Sequence, residues 1–221
     1  MSQNPFPVQI DIISDMVCPW CYVGKTKLEK ALETFGNQVE PTIVWRPFQL
    51  NPEIPNEGVG YKEHLVHKFG NERSLDAAWQ RLKSMGMEIG LDLRFEDIPK
   101  APNTLAMHTL VRHLDGNPKQ NEFVGKLFVA HFTLGRDLTS VDVIWEIASP
   151  YFENKESFEK IYSNLEMQEE IRKEIAYYHQ NGVSGVPYFI MGNKYALSGA
   201  QNSEVFVEVI QTILKEQGSE M

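Results

Sequence analysis

The chain has two cysteines in 221 residues, three apart in Cys18-Pro19-Trp20-Cys21, and they sit where the hydrophobic period changes. Ahead of them Val8 to Ser14 (VQIDIIS) is short and rich in Val and Ile, which predicts a mostly buried strand. Behind them Val23, Leu28, Ala31, Leu32 and Phe35 recur at helical spacing over Tyr22 to Phe35, with Gly36-Asn37 as a closing signal. A C-x-x-C at a strand-to-helix junction restricts the fold sharply, because the helix N-terminus falls on the first thiol. Free N–H groups and the positive end of the helix dipole favour a thiolate there. Cysteines so placed titrate anywhere from about 3.5 to about 7.5. Cys18 is then expected as the exposed attacking sulfur and Cys21, one turn further in, as the buried resolving one. Pro19 stands where a missing N–H costs the helix little.

Three other uses of two cysteines compete with redox chemistry. A structural disulfide between residues three apart removes little chain entropy, and a reducing compartment would open it. A zinc site wants a closed set of Cys and His ligands, and no second C-x-x-C exists; His64 and His67 share a helical face but read as surface. Two inert buried thiols are the third. Redox exchange accounts best for the placement, and no metal is expected.

Charge narrows the partners. Thirty Asp and Glu against 21 Lys and Arg leave a net charge of −9, the wrong sign for nucleic acid or an anionic membrane. Met1 to Pro7 lacks a basic n-region, and no run of about 18 apolar residues offers a membrane span. The expectation is a cytoplasmic protein.

Further along, Val39 to Phe48 predicts a second strand, regular over Thr42 to Arg46 because Pro41 and Pro47 restrict pairing. Strand signals then fade for about 120 residues, and helices are expected at 61–69, 75–87, 104–114, 119–134, 141–150 and 166–180. Ser74, Asn103, Ser140 and Ser163, the last with Glu166, are candidate N-caps. Strands return at 188–191 and 194–197 around Gly192-Asn193, and a last helix runs from Ser203 to Lys215. The order β-α-β, helices, β-β-α predicts an α/β fold: a four-stranded mixed sheet flanked by helices, carrying a large all-helical insertion. Residues 1–60 and 183–221 form the discontinuous sheet domain and 61–182 the insertion. Trp45, Trp79, Trp145, Phe123, Phe128 and Phe132 read as packing.

Gly185-Val186-Pro187-Tyr188-Phe189 places a proline at a strand start. Together with DMVCPWCYVGK at 15–25, WRPFQLNPEIP at 45–55, APNTLAMH at 101–108 and SGAQ at 198–201, it resembles the DsbA-type thioredoxin superfamily, and more narrowly the FrnE-like dithiol–disulfide oxidoreductases. The resemblance spans nearly the whole chain and implies a thioredoxin-like sheet. It implies Cys18 as nucleophile, Cys21 as resolving thiol and a cis Val186–Pro187 bond facing them. Pro187 thus joins the two cysteines as a catalytic position.

The chain is similar also to kappa-class glutathione transferases and 2-hydroxychromene-2-carboxylate isomerases, which carry serine at the position of Cys18. From these relatives a glutathione site is implied at the Val186 backbone and at a helix start around Ser198, Gly199, Ala200 and Gln201, a natural anion site. Glutathione is then a redox partner or co-substrate, with no tightly bound cofactor. Disulfides or dithiols, on proteins or small thiols, are the expected substrates, and monomer and homodimer both stay open. Asp11 or Asp15 is the candidate proton relay to Cys21. Asn103 would bring an amide over the site, unless it only caps a helix, and Pro19 and Trp20 would meet substrate.

Overall fold

The computed structural model describes residues 5–218, so the first four residues of Met1–Pro7 and the last three of the chain lie outside it. The chain forms β1 (Phe6–Ser14), α1 (Pro19–Glu33), β2 (Val39–Pro47), β3 (Val59–Gly60), α2 (Tyr61–Phe69) and α3 (Glu72–Glu88). It continues through β4 (Lys100–Ala101), α4 (Leu105–His113), α5 (Gln120–Phe128), α6 (Val141–Ala148), α7 (Lys155–Tyr162) and α8 (Leu165–Gln180). The hairpin β5 (Tyr188–Met191) and β6 (Tyr195–Ser198) and helix α9 (Ser203–Gly218) complete it.

The main sheet has the order β2-β1-β5-β6. β1 runs parallel to β2 and antiparallel to β5, so the sheet is mixed, as a β-α-β unit joined to a hairpin requires. Alternation along β1 sends Val8, Ile10 and Ile12 to the face that α1 and α9 cover, and Ile13 to the opposite face with Phe48 and Val183 under α8. The open edge of β2 is met by α5: Gln120 Oε1 accepts from Trp45 N at 3.0 Å, and Asn121 Oδ1 from Trp45 Nε1 at 3.1 Å. An edge that would otherwise invite another strand is thus covered from the helical segment.

Several sequence expectations need correction. α3 starts earlier than expected, because Asn71, not Ser74, is its cap: Asn71 Oδ1 accepts from Ser74 N. α8 is capped by Asn164 rather than Ser163. α7, with its Asn154–Ser157 capping box, was not expected at all; only Phe158 of its eight residues is fully buried, so its apolar period is faint. The helix expected over 119–134 leaves the α-form after Phe128 and widens into a π-turn over Val129–Thr133, which turns His131 and Phe132 inward. The ladder β3–β4 is two residues long, too short for any periodic signal. Among the described residues no helix is long and apolar enough to cross a membrane.

Candidate active site

β1 ends at Ser14, the chain turns with Cys18 N donating to Asp15 O at 3.0 Å, and α1 begins at Pro19. Cys18 is therefore the N-cap, held extended at φ −95° and ψ 109°, and Pro19 takes the first helical position. The Val186–Pro187 peptide opposite is cis. The Cys18 thiol donates to the Val186 carbonyl across 3.6 Å, which joins positions 168 residues apart in the chain. Gly199 N in turn donates to Pro187 O at 2.8 Å, pinning the proline loop to the end of β6.

The expected exposure of Cys18 is wrong: it shows 3% of its surface, because Trp20, Val186 and the insertion close over it, and Cys21 shows none. Burial pushes the Cys21 thiol well up, the adjoining Cys18 sulfur adds to this, and the Asp15 backbone N–H pulls the other way. Cys21 thus keeps its proton until something beside it takes it.

Asp15 is buried to 1% exposure at the end of β1. Its carboxyl is pushed up to about 6, by burial first, against hydrogen bonds from Leu50 N, Thr104 and Val17 N. The second candidate relay, Asp11, lies elsewhere. It sits on the α8 face of β1, bound by Arg46 Nε at 2.8 Å, with Asp115, Arg112 and Glu174 extending the ionic network. Strand alternation puts it behind the sheet from the thiols.

Asn103 does not reach the cysteines. Its amide donates to Ile54 O at 2.7 Å, and its oxygen accepts from Gln49 Nε2 and from Leu105 N, each at 3.0 Å, so it ties the first residue of α4 to the 49–54 loop, while Thr104 is the N-cap position. Ser198 ends β6, and Gly199 and Gln201 lie in the link beside Pro187, ahead of α9; the helix itself starts at Ser203 rather than at Ser198. Lys27 closes this corner, its ammonium donating to Asn202 Oδ1 at 3.0 Å.

The insertion contributes what the sequence did not flag. Tyr61, His64 and Lys68 from α2, and Trp79 from α3, line a cavity that Cys18, Trp20 and Val186 border. Trp79 packs, as expected of it, stacking between Tyr61 and Phe95, and it is cavity wall as well. Tyr61 opens α2 directly after the β3–β4 ladder, and no sequence signal marks that ladder.

YwbO of Bacillus subtilis (strain 168), a protein described as uncharacterised, is 26% identical over 205 residues, 92% of this chain and 96% of that protein. A probable DsbA oxidoreductase from Streptomyces coelicolor superposes with a TM-score of 0.83 at 26% identity, covering 95% of this chain and 91% of its own. The fold is shared with a 2-hydroxychromene-2-carboxylate isomerase, with a TM-score of 0.71, 17% identity, and 96% and 98% of the two chains covered. The model of the DSBA-like thioredoxin domain matches residues 9–211, from within β1 into α9, and the chain belongs to that family.

Proposed function

We propose that the chain is a dithiol–disulfide oxidoreductase of the FrnE-like type. One observation carries the reading: Cys18, at the cap of α1, faces the Val186 carbonyl with the protonated Cys21 in contact behind it. The Cys18 thiolate attacks one sulfur of a substrate disulfide, forming a mixed disulfide and releasing the other half as a thiolate. Cys21 loses its proton, attacks Cys18, and releases the second half, leaving an intramolecular Cys18–Cys21 disulfide. Asp15 is the group we assign to take that proton, since its carboxyl is buried and its backbone N–H meets the Cys21 sulfur. The reverse sequence oxidises a dithiol.

Glutathione is the monothiol we assign as redox partner, with Pro187, Val186 and the 198–201 link as its docking corner. Both cysteines belong to the one motif, which suits a reducing cytoplasm where structural disulfides are rare. A glutathione-dependent isomerase or transferase of small molecules is the second reading, favoured by the shared isomerase fold.

Substitution of the two sulfurs separates the readings. Cys18→Ser is expected to abolish disulfide reduction, measured with glutathione turnover. Cys21→Ser is expected to accumulate a stable mixed disulfide at Cys18, seen as a mass increase equal to one substrate half. Full activity in Cys18→Ser refutes the mechanism, and unchanged turnover in Cys21→Ser favours the single-thiol alternative.

A further inference from the structure

A cavity of about 270 Å³ runs from the cysteine motif into the insertion, with α2 and α3 in its wall. The sheet domain supplies Cys18, Trp20 and Val186, and the insertion supplies Tyr61, Trp79 and Phe95. The aromatic side of the wall is a stack. Tyr61 and Trp79 lie 6.2 Å apart at 8°, and Trp79 and Phe95 5.6 Å apart at 16°. A dry apolar cavity of about 150 Å³ accepts benzene, so this one has room for a bicyclic or branched group.

Two independent features aim the cavity at a ligand. Cys18 shows only 3% of its surface, so a sulfur carried on a large protein meets a closed approach, whereas a molecule seated in the cavity meets Cys18 from within. Among the described residues the Tyr61 hydroxyl makes no hydrogen bond on the cavity wall, and His64 Nε2, which lines the same cavity, is buried without a partner. Buried polar groups are normally paired, and an unpaired one beside a cavity waits for a partner. Burial, with the nearby Cys18 sulfur adding to it, keeps the phenol protonated and hence a donor.

We propose that the cavity binds the aromatic or branched apolar group of a small thiol or disulfide, with the Tyr61 hydroxyl as its donor and Cys18 as the reacting sulfur. This names the substrate class and rests on the disulfide-exchange reading. A seated disulfide R–S–S–R′ loses its S–S bond as the Cys18 thiolate bonds one sulfur and R′–S⁻ departs. Cys21 gives up its proton, bonds Cys18, and R–S⁻ departs. Two electrons pass from the dithiol to the substrate, and two molecules of a monothiol such as glutathione restore the dithiol.

The test is single-turnover oxidation of the reduced protein by alkyl disulfides with matched sulfur chemistry: bis(2-hydroxyethyl) disulfide and bis[2-(1-naphthyl)ethyl] disulfide. The naphthyl compound is expected to react at least tenfold faster, with a rate that saturates. Ala78→Phe, which fills the cavity from α3, is expected to bring the ratio near one. Equal rates in the wild-type protein overturn the cavity assignment while leaving disulfide exchange intact. No oxidation by either compound overturns disulfide exchange instead. Calorimetric titration of the wild-type protein with 2-(1-naphthyl)ethanol, which carries no disulfide, then decides the cavity by itself: binding supports it and no binding overturns it. The same titration stands in should Ala78→Phe fail to fold.

Discussion

Replacing Asp15 by Asn removes one buried proton site and should change how stability depends on pH. An ordinary aspartate titrates near 3.8, and burial raises the Asp15 carboxyl to about 6. The folded protein therefore holds this proton more tightly than the unfolded chain. Between about pH 4 and pH 6 the unfolded state has released it and the folded state has not, so stability falls as pH rises through that window. At 1.36 kcal/mol for each pH unit, the ionised carboxyl costs about 3 kcal/mol at neutral pH, and the cost vanishes below pH 3.8.

Asn carries no such proton. It does turn an N–H toward one of the donors Asp15 now accepts from, Val17 N or Leu50 N, so the absolute stability of the variant mixes two effects. The pH dependence does not mix them. The difference in unfolding free energy between Asp15→Asn and wild type should become more favourable to the variant by about 3 kcal/mol from pH 3.5 to pH 7.5. Urea unfolding of both reduced proteins at five pH values measures it, with equal m-values confirming a common transition. A difference that stays flat to within about 0.5 kcal/mol would refute desolvation as the cause of the raised carboxyl.

Two further substitutions probe the packing around the site. A Cβ added at Gly24 would lie 3.0 Å from Phe189 Cζ and 3.0 Å from Pro187 Cγ, so α1 must lift off the proline loop. Overpacking of about 1–3 kcal/mol outweighs the gain of about 1 kcal/mol from helix propensity. Gly24→Ala should therefore lower thermal stability and speed alkylation of Cys18; a stabilised variant would contradict the contact. His131, fully buried with neither ring nitrogen paired among the described residues, is pushed down to about 3, and His108, donating to Phe48 O, to about 4, both by burial. Unfolding lets each histidine take up a proton below about pH 6.5, so stability is lost as pH falls from there. His131→Phe should remove about 2 kcal/mol of the loss between pH 7.5 and pH 5, read from urea midpoints; an unchanged acid limb would refute it.

The sheet and the dithiol were legible because each writes a local signal. β1 and the core of β2 are dense in β-branched residues, the cysteines mark the junction to α1, and Val186-Pro187 precedes a strand that alternates in burial. The cavity wrote none. Tyr61, Trp79 and Phe95 come from three separate segments of the insertion, and a stacked aromatic facing a hollow has the same sequence period as one facing the core. The closure over Cys18 is likewise non-local. It needs α2 to sit across the cavity from Val186, and the two-residue ladder that delivers α2 there carries no pattern.

The case of the two aspartates shows how far strand period alone goes. Residues of β1 alternate between faces, and the buried set Val8, Ile10 and Ile12 identifies the even positions as those under α1. α1 starts with the cysteines, so the thiols lie on the even side. Asp11 is odd, which sends it to Arg46 on the far face, beyond reach of Cys21. Asp15 is odd too, but it lies past the strand end at Ser14, where alternation no longer applies and the turn into α1 brings its backbone to the Cys21 sulfur. Once the buried face of β1 is known, parity excludes Asp11; only the turn, fixed by Cys18 N on Asp15 O and Leu50 N on the Asp15 carboxyl, places Asp15 beside the thiols.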